Sequence, residues 1–255
     1  MRNEKVVEVK DLITILGGKM IHKGITLSVN KGEIYAIVGG SGSGKTVLLR
    51  ELIMLLKPFK GTIKVLGYDL SDLSPRDIRE LRSRWGVLFQ FGGLISSLTV
   101  SQNVALPLLE FTRIPRNLID ELVSIKLKLA NFPLDFACAF PSEISGGMKK
   151  RAALARALAL DPEILFLDEP TSGLDPVASA YFDRTIKELR DLLGLTVVLV
   201  THDLDTIESI VDRMVVLLEG EVLVEGTPRE VARFPHPWIQ DYFFGRKGDR
   251  TWRER

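Results

Sequence analysis

Residues 39–46 combine glycines, a lysine and a threonine in a spacing that suits the binding of phosphate. The residues of this phosphate loop are Gly39, Gly40, Ser41, Gly42, Ser43, Gly44, Lys45 and Thr46. Glycine lets the backbone pass close to an anion, so that successive N–H groups point at phosphate oxygens. An apolar strand-like segment, residues 34–38, precedes the loop, and a helix-like segment, residues 45–56, follows it. In that context we expect Lys45 to reach the β- and γ-phosphates of a nucleotide and the Thr46 hydroxyl to bind Mg²⁺.

Two carboxylates follow another apolar segment and predict the other half of a phosphoryl-transfer site. Residues 164–167 are Ile, Leu, Phe and Leu, and Asp168 and Glu169 come directly after them. We expect Asp168 to bind Mg²⁺ through water and Glu169 to orient or deprotonate the attacking water. Phosphoryl transfer requires charge neutralisation, positioning and a placed nucleophile. Lys45, Mg²⁺ and Glu169 would supply these three requirements.

A further glycine pair begins a later helix-like segment. It belongs to the run Ser145, Gly146 and Gly147. A serine and two glycines at a helix start form a second corner that suits an anion. These residues resemble the signature motif of the nucleotide-binding subunits of ABC transporters, which begins Leu-Ser-Gly-Gly-Gln.

This resemblance covers nearly the whole chain in the order of the family's motifs. Gln90 matches the Q-loop glutamine, residues 172–175 match the D-loop, and His202 matches the switch histidine. The resemblance implies that ATP is the nucleotide, that Gln90 contacts Mg²⁺ and that His202 donates a hydrogen bond to the γ-phosphate. It also implies a head-to-tail homodimer, in which the signature motif of one subunit closes over ATP held by the phosphate loop of the other. Both motifs together would form each composite site.

The alternation of strand-like and helix-like segments predicts an α/β fold. With the resemblance, the expected class is a P-loop NTPase with a mixed sheet core and an inserted helical signature subdomain. Residues 1–90 and 161–233 would form the α/β nucleotide-binding core, and residues 91–160 the helical subdomain. Residues 234–255 would be a C-terminal extension of this single domain.

Composition excludes several classes of protein. The chain has 255 residues with 34 Lys and Arg against 33 Asp and Glu, so a net charge of +1 gives no general electrostatic attraction to nucleic acid. Cys138 is the only cysteine, which excludes an internal disulfide and favours a reducing compartment. Residues 1–10 lack the apolar core of a signal peptide. The longest apolar run, residues 192–200, is far shorter than the about 20 residues of a membrane span.

Met148 stands where most of the family has glutamine, and it suggests a subfamily. Together with residues 88–94, 99–108 and 148–156, it resembles the ATPases of Mla-type and Mce-associated lipid transporters. This resemblance implies phospholipid or other lipid cargo and an integral-membrane permease, with an Mce-type lipid-binding protein and a small regulatory subunit as further partners. The ATPase would then lie on the cytoplasmic face of the inner membrane, held there by the permease around residues 91–107.

Three other functions remain as alternatives. The same motifs would serve a transporter of amino acids, peptides or toxic solvents, because the cargo does not touch this subunit. A soluble family member acting in DNA repair or translation usually has coiled coils, zinc inserts or a second cassette, and none is evident here. A subunit without catalysis is disfavoured because Lys45, Asp168, Glu169 and His202 are all present.

Some positions carry no motif or depart from the family pattern. Thr14 occupies the position at which many members stack adenine on an aromatic residue, so the contact with the base is open. We expect His22 and His236 at the surface, and Cys138 as a buried or half-buried filler. For the aromatic and basic stretch 236–255, the options are packing on its own domain, contact with another subunit, or attraction to lipid headgroups.

Overall fold

A six-stranded sheet, parallel except at one edge, lies at the centre of the fold. The computed structural model describes residues 4–245. The strands are β1 (Lys5–Leu16), β2 (Lys19–Asn30), β3 (Ile34–Gly39), β4 (Lys60–Val65), β5 (Tyr68–Asp69), β6 (Trp85–Leu88), β7 (Ile164–Asp168), β8 (Thr196–Val200), β9 (Arg213–Leu218) and β10 (Glu221–Gly226). The strand order in the central sheet is β10-β9-β3-β8-β7-β6, and only β10 runs antiparallel to its neighbour. A second, antiparallel sheet has the order β2-β1-β4-β5.

Helices cover the central sheet and connect its parallel strands. They are α1 (Lys45–Leu52), α2 (Pro75–Ser83), α3 (Val100–Phe111), α4 (Arg116–Leu129), α5 (Gly146–Ala157), α6 (Pro176–Leu193), α7 (Leu204–Ile210), α8 (Pro228–Ala232) and α9 (Pro237–Phe244). Short 3-10 turns at Leu134–Phe136 and Pro141–Glu143 lead into α5. None of the helices between residues 4 and 245 is long and apolar enough to span a membrane.

Alternate residues of the central strands enter two separate cores. In β3, Ala36 and Val38 point to one face of the central sheet and pack in a core with α3 to α9. Tyr35 and Ile37 point to the other face and pack in a second core with α1 and the antiparallel sheet. Strands that are buried on both faces have near-continuous apolar sequences. This two-sided burial explains why residues 34–38, 164–167 and 196–200 lack the alternation of a surface strand.

Residues 74–77, Ser-Pro-Arg-Asp, and 227–230, Thr-Pro-Arg-Glu, have the sequence pattern of helix starts, and a helix begins at each. The Ser74 hydroxyl accepts a hydrogen bond from the Asp77 N–H at the start of α2, and Thr227 does the same for Glu230 at α8. Several boundaries differ from those that the sequence predicts. The predicted helix over residues 45–56 already ends at Leu52, because the chain turns through Met54 with φ of 58°. Residues 87–89 predict a strand from their apolar sequence, and the strand found there, β6, spans Trp85–Leu88.

Between β6 and β7 the chain forms α3, α4 and α5, which pack on the helical side of the central sheet. Alanines make up much of the buried face of α5, which allows this helix to lie close to its neighbours. In the same region Cys138 is exposed, so the prediction of a buried or half-buried filler is wrong. The residue lies in the connection that follows the Leu134–Phe136 turn, outside the packed helices.

Helix α9 is anchored on its own domain. Ile239 and Phe243 are 0% and 1% exposed and belong to the core on the helical side of the central sheet. Trp238 and Tyr242 stack on each other with ring centroids 4.9 Å apart. Of the options for this stretch, packing on its own domain therefore applies to Pro237–Phe244. The basic residues predicted to act as a tail, 246–255, lie outside the described residues.

Truncation of Phe243 should show that α9 is an integral part of the fold. We expect Phe243→Ala to lower the free energy of unfolding by about 3–5 kcal/mol, because it leaves a cavity in a packed core. Phe244→Ala, at the half-buried neighbouring position, should lower it much less. Urea denaturation followed by circular dichroism measures both values, and equal losses would contradict a core role for Phe243.

Candidate active site

The site residues meet at one edge of the central sheet. Strands β6, β7, β8 and β3 are parallel and adjacent, so their carboxyl ends are level with one another. The phosphate loop follows β3, Gln90 follows β6, Asp168 ends β7 and His202 follows β8. Ligands of open α/β sheets bind at this edge. The fold thus places four segments that are far apart in sequence around one position.

Steric contacts require glycine at two positions of the phosphate loop, Gly39 and Gly44. A Cβ on Gly39 would lie 2.2 Å from the carbonyl oxygen of Leu217, and one on Gly44 would lie 2.5 Å from Nε2 of His22. Gly44 has φ of 99° and begins α1 without a side-chain cap. The first N–H groups of an α-helix have no partner within the helix. They therefore remain available for phosphate oxygens at the positive end of the helix dipole.

Lys45 is held over the phosphate loop by the loop's own backbone. Its ammonium group donates hydrogen bonds to the carbonyl oxygens of Gly39 and Gly40, at 2.8 and 2.9 Å. Burial lowers the pKa of Lys45, while the charges of Glu169 and Asp168 act in the opposite direction. The lysine, the two carboxylates and the loop therefore share one electrostatic environment.

Asp168 presents a carboxylate oxygen that suits a cation. The residue is 8% exposed, and its Oδ1 is buried with no hydrogen-bond partner among residues 4–245. Burial, and next the charge of Glu169, raises the pKa of Asp168. No cluster of three or more His, Cys, Asp or Glu side chains in the described part of the chain could hold a metal alone. This donor set fits Mg²⁺, which usually keeps water and phosphate oxygens as ligands beside one or two protein groups.

Glu169 and His202 are in direct contact. Nδ1 of His202 donates to Oε1 of Glu169 at 2.8 Å, since a carboxylate oxygen only accepts. The Glu169 side chain is 13% exposed and the histidine 63% exposed. Glu169 has φ of 48°, in the left-handed region, and its N–H donates to the carbonyl oxygen of Val200 at 2.9 Å. Neighbouring strands thus bring together two residues that the sequence separates widely.

Lys150 of α5 hydrogen-bonds to the backbone of the same site. It lies within residues 148–156, but the sequence patterns assigned it no role. Its ammonium group donates to the carbonyl oxygen of Glu169 at 2.9 Å and to the carbonyl oxygen of Gln90. Burial lowers the pKa of Lys150 to about 8, and the charges of Glu169 and Asp168 oppose that shift. The side chain of Gln90 is half-buried beside this contact.

His22 lies behind the phosphate loop, and the prediction that it is a surface residue is wrong. It is 0% exposed, because the pairing of Thr14 with His22 in the β1–β2 hairpin turns both side chains inward. Its Nδ1 lies 2.8 Å from the Thr14 hydroxyl, which donates to Glu51 of α1 at 2.7 Å. Nε2 lies 3.2 Å from the carbonyl oxygen of Gly44, to which it donates. Thr14 is therefore part of a buried polar network and not of a surface for stacking a base.

The third histidine, His236, is half-buried, and its Nδ1 accepts from Trp238 N–H at the start of α9.

The signature residues lie on the surface at the start of α5. The Ser145 hydroxyl accepts from the N–H of Met148 at 3.3 Å, as an N-cap. Ser145 and Gly146 are exposed, and a Cβ on Gly146 would meet nothing within 4 Å. A Cβ on Gly147 would lie 3.6 Å from Leu174 in the D-loop. This corner is therefore accessible to a second molecule.

Helix α9 lies close to the phosphate loop and hydrogen-bonds to the backbone of His202, shortly after β8. The Tyr242 hydroxyl donates to the carbonyl oxygen of His202 at 3.0 Å. A Cβ on Gly40 would lie 3.6 Å from the indole nitrogen of Trp238. A cleft of about 370 Å³ lies between the D-loop, Glu169, His202 and α9. Sequence patterns gave no indication of this contact, because it depends on where α9 packs.

Comparisons with known proteins identify the family of this chain. A family model described as ABC transporter matches residues 22–172. The intermembrane phospholipid transport system ATP-binding protein MlaF of Haemophilus influenzae is 41% identical over 231 residues, which are 91% of this chain and 87% of that protein. The methionine import ATP-binding protein MetN 1 of Bacillus thuringiensis is 41% identical over 221 residues, 86% of this chain and 65% of that protein.

A solved structure shows the same fold. The dimeric post-hydrolysis state of the ATP-binding cassette MJ0796, bound to ADP and Pi, matches with a TM-score of 0.80 and 33% identity over 87% of this chain and 98% of that one. The fold class expected from the sequence is thereby confirmed, as is the resemblance on which it rested. The chain belongs to the ABC transporter family, and it is an ATPase of that family.

Proposed function

We propose that this ATPase powers phospholipid transport across the cell envelope through a partner permease, from the cytoplasmic face of the inner membrane. One observation supports ATP hydrolysis within this proposal. The carboxyl ends of adjacent strands bring together the phosphate loop, Asp168, Glu169 and His202. The proposal for lipid cargo is supported by the signature region around Met148 and by the similarity to MlaF.

In the proposed mechanism, the phosphate loop and Lys45 bind the triphosphate of ATP. Lys45 exchanges its bonds to the Gly39 and Gly40 carbonyl oxygens for phosphate oxygens, while the N–H groups at the start of α1 bind others. Thr46, Asp168 and Gln90 would hold Mg²⁺, which neutralises charge on the phosphates when bound. Asp168 fits this role because its Oδ1 is buried without a partner among the described residues.

Glu169 is the proposed general base, and His202 orients it. The carboxylate accepts from Nδ1 of His202, so one oxygen is held while the other can take a proton from water. A neutral histidine that donates through Nδ1 has no proton on Nε2. Donation by His202 to the γ-phosphate therefore requires a second proton on the ring or rotation of the ring away from Glu169. With a second ring proton, His202 would hold Glu169 and the γ-phosphate together, whereas rotation of the ring would release Glu169.

The dimer and the permease contact are proposed for two exposed surfaces. The accessible corner at Ser145, Gly146 and Gly147 would close over ATP held by a second copy, which would complete each site.

Phe91 is 87% exposed beside a groove of about 510 Å³ between β6 and α3. The permease helix is proposed to lie at this groove, around residues 91–107. An Mce-type lipid-binding protein and a small regulatory subunit would complete the transporter.

Removal of the Lys45 ammonium should weaken nucleotide binding. We expect Lys45→Ala to raise the Kd for Mg-ATP by about 10- to 100-fold, since hydrogen bonds to charged groups contribute about 1.5–3 kcal/mol. Lys57→Ala removes the same charge from an exposed position beyond α1 and should leave Kd unchanged. Titration with a fluorescent ATP analogue measures both. Unchanged affinity in Lys45→Ala would contradict the assignment of the phosphate loop.

Replacement of the proposed base should stop turnover without preventing ATP binding. We expect Glu169→Gln to lower phosphate release by at least 100-fold, because general bases contribute about 10²–10⁴ in rate. It should accumulate ATP-bound dimers, seen by light scattering coupled to size exclusion. Glu163→Gln, at an exposed site before β7, should keep the wild-type rate. Phosphate release by Glu169→Gln at the wild-type rate would refute the role of Glu169.

The cargo is best tested on the complex in its native membrane. Tagged Glu169→Gln protein, purified in mild detergent with Mg-ATP, should retain an integral permease, an Mce-type lipid-binding protein and bound phospholipid, identified by mass spectrometry. Membranes that lack the tag provide the background. A permease with a soluble solute-binding protein and no lipid enrichment would favour the second candidate, an amino-acid transporter, which the equal identity to MetN supports. Recovery of no membrane partner would refute the transport proposal.

A further inference from the structure

Lys150 is a buried cation whose acceptors belong to two different catalytic loops. It is 5% exposed and lies on α5, shortly after the signature residues. A buried ammonium group is unstable unless it is hydrogen-bonded. Here the acceptors are the carbonyl oxygens of Gln90, after β6, and of Glu169, after β7. The stability of this lysine and the placement of the two loops therefore depend on each other.

The contact at Glu169 acts on an unusual piece of backbone. Glu169 is a non-glycine residue with φ of 48°, a conformation that costs free energy and persists only when surrounding contacts stabilise it. Its N–H donates to Val200, and its carbonyl oxygen accepts from Lys150 and from the Ser172 N–H at 3.2 Å. Lys150 is thus the one side chain among these contacts that fixes the peptide from which the Glu169 carboxylate extends.

We propose that Lys150 is a positioning residue that couples the signature corner at the start of α5 to Gln90 and Glu169 of the same chain. Ser145 caps α5, and Lys150 lies about 7.5 Å farther along the same hydrogen-bonded helix, at a rise of about 1.5 Å per residue. When the signature corner contacts ATP held by the second copy, α5 would carry Lys150 and both loops with it. Occupancy of one composite site would thereby set the position of the base in the other. This inference rests on the proposed dimer and on the proposed role of Glu169.

Lys126 provides a matched control for a lysine that is buried only for structural reasons. It lies on the neighbouring helix α4, is 4% exposed, and pairs with Asp161 before β7. Loss of either lysine should perturb folding to a similar degree. Only the loss of Lys150 should change catalysis by the folded protein.

The test compares Lys150→Met, Lys150→Arg and Lys126→Met in the full chain. We expect Lys150→Met to lower kcat for ATP hydrolysis at least tenfold, with the Kd for ATP of the isolated subunit within twofold of wild type and the Hill coefficient for ATP reduced toward 1. Lys150→Arg, which keeps the charge and donors, should restore most of kcat. Lys126→Met should keep kcat and the Hill coefficient after correction for the folded fraction. If Lys150→Met does not fold, Lys150→Gln replaces it, with the same expected direction.

Three results would overturn the proposal. The first is a kcat for Lys150→Met within twofold of wild type. The second is a loss of kcat that Lys126→Met matches, and the third is a loss of kcat that Lys150→Arg does not restore. A failure of the proposed role of Glu169 is distinguishable, because Glu169→Gln would then also hydrolyse ATP. The positioning role fails by itself when Glu169→Gln is inactive and Lys150→Met is not.

Discussion

Parallel hydrogen bonding between β6, β7, β8 and β3 is the constraint on which the site depends. The register places Leu88 opposite Leu167 and Asp168 opposite Val200, so the loops that follow these strands begin at one level. A slip of one residue would exchange the two faces of a strand. Since each face enters a different core, such a slip would bury the wrong side chains on both sides of the sheet. Packing of both cores therefore fixes the level of the catalytic loops.

Behind the site, buried polar side chains satisfy their hydrogen bonds with the backbone of the catalytic loops. His22 donates to the Gly44 carbonyl oxygen, and Lys150 donates to those of Gln90 and Glu169. Buried polar groups are costly when they lose their partners. A displaced loop would leave such a group unpaired, so these contacts favour one arrangement of the loops over others.

Helix α9 adds a constraint from the far end of the described chain. Phe243 anchors the helix in the core, and the adjacent face carries Trp238 and Tyr242. The Tyr242 hydroxyl donates to the His202 carbonyl oxygen, and the Trp238 indole lies near Gly40. One short helix thus lies beside the phosphate loop and the segment that follows β8. Its anchoring and its contacts come from the same eight residues, Pro237–Phe244.

Local sequence patterns predict the phosphate loop, the carboxylates after β7 and the helix starts at Ser74 and Thr227, because each depends on residues that are neighbours in the chain. The fold class could be predicted from the order of segments and motifs along the whole chain. By contrast, the burial of His22, the exposure of Cys138 and the contacts of Lys150 and Tyr242 at the site could not be predicted from the sequence. Their partners lie on other strands and helices. Which side chain meets which carbonyl oxygen then depends on strand register and helix packing, and neither has a local sequence pattern.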